Sequence, residues 1–226
     1  MMFGHKRSLA LALMALGGFA GPSAANEDES GHAWQALNAQ WWQWVLSIPA
    51  PVNPVLDKTG EFCMVGQRGA VWFLAGAQDG LPKQRTCSVP EGVPIYFPVV
   101  NSVWVWTPTC GDPPMTIDQL RTATAAIING SHDLSVLLDN QPVRDIRRVR
   151  SDVFYATLPA KDNYLGAPES CALNKPQSPS VDDGYYVKLR GLSAGQHHLS
   201  IRGTTGGGFS VDVFYTLNVV SLKLKD

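Results

Sequence analysis

The segment "GFSVDVFYTLNVVS" constrains this chain more than any other. Phe209, Val211, Val213, Tyr215, Leu217 and Val219 occupy every second position, with Ser210, Asp212, Thr216 and Asn218 among the residues between them. Side chains on a strand alternate faces, so a period of two sustained this long predicts a half-buried strand that needs partner strands and a covering layer. Other segments repeat the pattern. "HDLSVLLDNQPV" alternates Leu134, Val136 and Leu138 before a turn at Asp139-Asn140, and "RVRSDVFYATLP" reads as the next strand. "GYYVKLRGL", "SAGQ" and "HHLSIRG" read as a hairpin. Upstream, "EFCMVG" and "AVWFLAG" read as strands either side of "QRG", and "PIYFPVVNSVWVW" as a long strand that Pro98 bends or places at an edge. The expected fold is mainly β, an antiparallel β-sandwich of immunoglobulin-like or jelly-roll type.

Two helices are expected beside the strands. Between Gly31 and Ile48 the apolar residues Trp34, Leu37, Trp41, Trp44, Val45 and Ile48 cover an arc of about 100° at the helical period. Pro49 ends that pattern. Trp42 lies about 80° from Trp34 at the edge of the stripe, so it is a candidate for contact with something other than the core. In "MTIDQLRTATAAIING", Thr116 and Gln119 fit a capping box and Asn129-Gly130 fits a helix end. "KDNYLGAPESCALNKPQSPSVDD" reads as a long loop tethered by Cys171, with Asp182-Asp183-Gly184 as a turn entering the next strand.

The length of 226 residues fits a signal peptide over residues 1–25 followed by one domain over residues 26–226. His5, Lys6 and Arg7 precede the short apolar run "LALALMALGGFAG", and Ser23 and Ala25 are the small residues before a cut at Asn26. That run is too short to span a bilayer, and no later segment is apolar enough, so no membrane span is expected after cleavage. Localisation is read as periplasmic or secreted. Without Lys6 and Arg7, sixteen basic residues face nineteen acidic ones, about −3, a balance that argues against nucleic acid. Four cysteines in an oxidising compartment imply two disulfides. Cys63–Cys87 with Cys110–Cys171 is the favoured pairing, each closing a separate loop, although three pairings exist. Zinc is disfavoured because close C-x₂₋₄-C pairs are missing, and no cofactor or metal is expected.

Taken together, "WWQWVLSIP", "GQRGAVWFLAG", "CSVPEGVPIYFPVVN", "DDGYYVKLRGLSAGQHHLSIRG" and "VDVFYTLNV" resemble an uncharacterised family of exported bacterial proteins, over about residues 40–220. The resemblance implies export and a single unit, and no activity, ligand or site. "LSAGQHHLSIRG" with the alternating strand after it is similar to the closing hairpin of immunoglobulin-like sandwiches.

Chemistry is sparsely written. Trp104 and Trp106 share a face if "VWVW" is a strand, about 7 Å apart. They either fill the core or form a platform for a sugar ring, with Asn101 and Asp112 near enough in sequence to supply hydrogen bonds. His197 and His198 face opposite sides of a strand and cannot readily ligate one metal. Asp57, Asp79, Asp112, Asp152, Asp162, Glu169, Asp182 and Asp183 are available as carboxylates, but no spacing pairs them across a substrate. No nucleophile elbow, phosphate loop, dinucleotide fingerprint or H-E-x-x-H occurs. The functional expectation is an exported sandwich protein binding a carbohydrate or other envelope component through Trp42, Trp104, Trp106, Asn101 and Asp112. The alternatives are an exported hydrolase with a loop-borne carboxylate or histidine site, and an envelope structural or interaction protein whose Trp-rich helix docks on a partner.

Overall fold

The computed structural model describes residues 24–221, so residues 1–23 of the expected signal peptide lie outside it. The described residues are mostly β, with two sheets and two α-helices. Helix α1 spans Ala24–Ser47, starting earlier than the apolar stripe alone indicates. Pro49 stops it, and the buried Asn53 side chain donates to the freed carbonyls of Val45 and Ile48 at 2.8 and 3.1 Å. Helix α2 spans Ile117–Ile128, with the Thr116–Gln119 capping box formed and Asn129 at its end.

The strands are β1 (Trp72–Phe73), β2 (Lys83–Pro90), β3 (Ile95–Val105), β4 (His132–Leu138), β5 (Gln141–Pro142), β6 (Arg147–Arg150), β7 (Phe154–Ala156), β8 (Gln177–Leu189), β9 (Gly195–Thr204) and β10 (Ser210–Val220). One sheet runs β1-β3-β8-β6, with β7 also on β8, and the other runs β2-β10-β9-β4-β5. Phe209 lies before strand β10 and is exposed, but from Val211 on the strand alternates as expected: Val211, Val213, Tyr215, Leu217 and Val219 are buried. They share one apolar cluster with Ile95, Phe97, Val187 and Leu189 of the first sheet. A second cluster lies on the other side of the first sheet, where Tyr96, Tyr186 and Val149 meet Trp41, Trp42, Trp44 and Val45 of α1.

Several expectations are corrected. The sheets are mixed rather than wholly antiparallel, since β1 pairs with β3 and β2 with β10 in parallel. "EFCMVG" is a series of turns: Cys63 N–H and Val65 N–H bond three residues back, and Gly60 and Gly66 take positive φ. "GYYVKLRGL" and "HHLSIRG" form no hairpin, because β8 belongs to the first sheet and β9 to the second, and the antiparallel closing pair is β9 with β10. Asp182-Asp183-Gly184 is no turn; all three lie buried inside β8. Pro98 sits at a register shift in the β3–β8 ladder, where it causes no loss in a central strand.

Strand β2 escapes the apolar pattern because its inward positions include Lys83 and Arg85. Arg85 is 2% exposed and forms no direct ion pair among the described residues; against burial, its charge joins the Phe62 and Thr59 hydrogen bonds in lowering the pKa of the nearby Asp57 carboxyl. Its guanidinium donates to the carbonyls of Val55, Asp57, Ala75 and Gly76 and to the Tyr215 hydroxyl, at 2.7–3.1 Å. Peptide oxygens thus solvate a buried charge and tie residues 55–57 and 75–76 to the second sheet.

Both disulfides take the favoured pairing, Cys63–Cys87 and Cys110–Cys171. Such bonds are at home in an oxidising compartment. Among the described residues no helix is long and apolar enough to cross a membrane.

Candidate functional site

Helix α1 is seated on a buried polar centre that holds its orientation. Asp182 on β8 is fully buried. Its Oδ2 accepts from Trp42 Nε1 and from the Tyr186 hydroxyl, each at 2.8 Å, and its Oδ1 accepts from Asn38 Nδ2 at 2.7 Å. The Tyr96 hydroxyl donates to Asn38 Oδ1, and the Tyr96 and Tyr186 rings stack with centroids 5.4 Å apart. Asn101 Nδ2 donates to the Tyr186 hydroxyl at 3.0 Å. Burial pushes the Asp182 carboxyl up to about 7, against the pull of its three donors. Burial likewise raises both tyrosines, and the Asp182 charge adds to it. Gly184 makes this packing possible, since a Cβ there would lie 2.6 Å from Asn101 Cβ and 2.8 Å from Asn101 Cα.

A surface groove opens on the outer flank of the same helix. Gln40, Gln43, Trp44 and Ser47 recur at three- and four-residue spacing and so share one side of α1. Facing them are Gly66 and Arg68 of the loop after the turns, Phe73 of β1, and Tyr155 and Thr157 at β7, enclosing about 390 Å³. The loop is fixed from several directions. Trp44 Nε1 donates to Val65 O at 2.8 Å, and Gly66, at φ +69°, brings the chain so close that a Cβ would stand 3.1 Å from Ile48 Cδ1. The Gln67 amide bonds Cys63 O, Phe73 O and Phe73 N–H at 2.8–2.9 Å. On the opposite wall Gln43 Nε2 donates to Tyr155 O at 3.0 Å.

The groove therefore combines a frame held by Gln43, Trp44 and Gln67 with the uncommitted side chains of Gln40, Arg68 and Tyr155. Tyr155 is 64% exposed. Neither its hydroxyl nor the Gln40 amide nor the Arg68 guanidinium hydrogen-bonds to the described residues. Trp44 and Phe73, centroids 5.6 Å apart, supply an apolar floor through their edges. Among the described residues no Asp or Glu lines the groove. Such a surface can hold the C–H face of a ring against Tyr155 while the amide and hydroxyls meet polar substituents.

The residues expected from sequence fall elsewhere. Trp42 is 5% exposed and spends its N–H on Asp182, so it is a seating residue rather than a free platform; the loop bearing Tyr164 covers the side of α1 that the stripe left open. Trp104 and Trp106 are both half-buried, at the end of β3 and just past it. Trp106 Nε1 donates to Pro113 O, and Asp112 Oδ2 accepts from the Thr107 N–H and hydroxyl, so Trp106 and Asp112 brace one loop. Asn101 belongs to the Asp182 centre. Trp42 and Asn101 thus join the one Asp182 network and Trp106 and Asp112 one loop, but the five form no common surface and none lines the groove. The sequence reading missed Gln40, Gln43, Arg68 and Tyr155. Its one signal for the helical pair was their place off the apolar stripe of α1.

Two other arrangements are already satisfied internally. A cavity of about 470 Å³ lies beside Trp34, Arg147, Arg148 and Arg150. Its guanidiniums are met by Asp145 and Asp183: Arg147 at 2.7 Å, Arg148 at 2.9 Å and Arg150 at 3.4 Å. His197 Nδ1 lies 2.7 Å from Asp139 Oδ2, an arrangement familiar from proton-transfer sites, but Nε2 lies 3.1 Å from the Ser193 carbonyl. A carbonyl only accepts, so that nitrogen holds its proton and is not free as a base. The Asp139 hydrogen bond accordingly raises the imidazole's pKa. Asp57 is likewise occupied, accepting from Thr59 and Phe62. No family model, no curated protein and no solved structure matches the chain.

Proposed function

We propose that this is an exported β-sandwich binding protein that takes a carbohydrate of the cell envelope in the groove along α1. The two disulfides support a periplasmic or secreted setting, and the apolar cluster shared by the two sheets supports sandwich packing. The observation that carries the reading is the uncommitted Tyr155 ring on β7 and the free Gln40 amide on α1, two elements tied by Gln43 Nε2 to Tyr155 O, facing a loop held by Gln67, Gly66 and the Cys63–Cys87 bond. An aromatic face with amides and hydroxyls around it suits a sugar, which offers C–H groups on its faces and hydroxyls at its rim. The Trp-rich helix is covered by its own chain, which favours a seated scaffold element over a free docking helix.

Glycan-array screening followed by calorimetry tests the proposal. Tyr155→Ala removes an exposed ring with little effect on the core, and binding of the selected glycan falls at least tenfold. Gln40→Ala produces a smaller loss. Affinity unchanged in both variants would refute the groove as the binding surface.

A further inference from the structure

The groove has one charged side chain and nothing to neutralise it. We infer that the sugar it binds carries a carboxylate, as a hexuronate does, and that Arg68 receives that group; this rests on the carbohydrate reading above. Elsewhere among the described residues, Arg85 is surrounded by carbonyls, Arg147, Arg148, Arg150 and Arg202 meet Asp145, Asp183 and Asp212, and Arg121 Nη2 donates to Ser151 O while its Nη1 has no partner. Among the same residues Arg144 and Arg190 have no side-chain partner either, but they do not line the groove. The Arg68 guanidinium meets no carboxylate among the described residues, and no acid lines the cavity it borders.

Its position is built rather than incidental. Arg68 lies between Gly66 and Gly69, at φ +69° and +82°, conformations that glycine adopts without strain. Immediately before it, Gln67 is locked by three hydrogen bonds to the backbone of Cys63 and Phe73, and Cys63 is bonded to Cys87 of β2. The loop is thus anchored to α1 through Val65, to β1 through Gln67 and to β2 through the disulfide. A guanidinium on a fixed base presents a planar donor fork that matches a carboxylate. With the ring on Tyr155, an acidic substituent facing the loop would meet that fork while the Gln40 amide serves a hydroxyl.

The test uses the full mature protein and a panel of hexuronate trisaccharides, their methyl esters and sulfated neutral trisaccharides, measured by calorimetry at low and moderate salt. Esterification removes the charge and keeps the ring, so it isolates the Arg68 contact. The free acid is expected to bind roughly tenfold more tightly than its ester, with the preference shrinking as salt rises. Arg68→Gln abolishes the preference for acid over ester while the unfolding midpoint and the loss on Tyr155→Ala stay as before; Arg68→Lys retains part of it. Equal affinity of acid and ester in the unmodified protein, with binding still dependent on Tyr155, overturns the acidic-sugar inference and leaves the carbohydrate reading standing. Tighter binding of a sulfated sugar than of any uronate overturns the carboxylate assignment. Failure of every saccharide to bind in a Tyr155-dependent way overturns both.

Discussion

Replacing Asp182 with asparagine should change how stability depends on pH, in a direction opposite to that of most acidic residues. In the folded protein burial lifts this carboxyl from the ordinary 3.8 to about 7. The folded state therefore holds a proton that the unfolded chain releases between those two values. Its contribution is greatest below pH 4 and is lost as pH rises toward 7, because ionising the buried group costs more in the native state than in water. A difference of about 3 pH units, at about 1.4 kcal/mol each, sets the size of the effect near 4 kcal/mol. Urea unfolding of the native and Asp182→Asn proteins, disulfides intact, at pH 4 to 8 measures it. The stability of the native protein relative to the variant should fall by about 4 kcal/mol over that range, at no more than about 1.4 kcal/mol per pH unit. Asparagine lacks one of the two acceptor oxygens, so it imposes its own cost, but that cost is independent of pH. Asp57, Asp79 and Asp139 are held below their ordinary range, and the Asp139 hydrogen bond raises His197. All four are present in both proteins and cancel in the difference. Asp183, adjacent in sequence, is held by Arg148 in both. A gap that stays constant from pH 4 to 8 would refute the assignment of a buried, easily protonated carboxyl beneath α1.

Three further outcomes follow from the packing. Arg85→Met leaves the buried carbonyls of Val55, Asp57 and Gly76 without their donor, while Ala75 O keeps the Tyr215 hydroxyl, and should destabilise the fold by about 3–5 kcal/mol, read by urea unfolding; a loss under about 1 kcal/mol would show that water replaces the guanidinium. Gly184→Ala places a methyl group against backbone and Cβ atoms of Asn101, so α1 can no longer seat on Asp182. Stability should fall by roughly 2–4 kcal/mol, and the near-ultraviolet circular dichroism of the helix tryptophans should weaken; an unchanged spectrum contradicts this. Replacing Cys63 and Cys87 together by alanine releases a loop closed over 24 residues, costs about 3.5 kcal/mol on chain-entropy grounds, and should weaken ligand binding more than Cys110/Cys171 replacement does. Equal effects on binding would argue that the disulfide does not hold the groove.

Much of the architecture is legible in single segments. Val211 to Val219 alternate, and the alternate set is buried. Leu37, Trp41, Trp44, Val45 and Ile48 share a helical face, and that face is covered. Thr116 and Gln119 stand three apart before an apolar face, and they cap α2. Each of these follows from the period of one element and the demand that its apolar side leave water. The groove and the polar centre could not be read in that way. Asn38, Trp42, Tyr96, Asp182 and Tyr186 come from one helix and two strands. Gln40, Arg68 and Tyr155 are as widely separated along the chain. Trp42 looked free because the loop that covers it lies more than a hundred residues away, and Arg85 hid β2 because its solvation by distant carbonyls leaves no local mark. Periodicity within a segment says which side of an element is apolar; only the pairing of strands and the seating of α1 decide which polar groups meet there, because those contacts depend on chain closure over long separations.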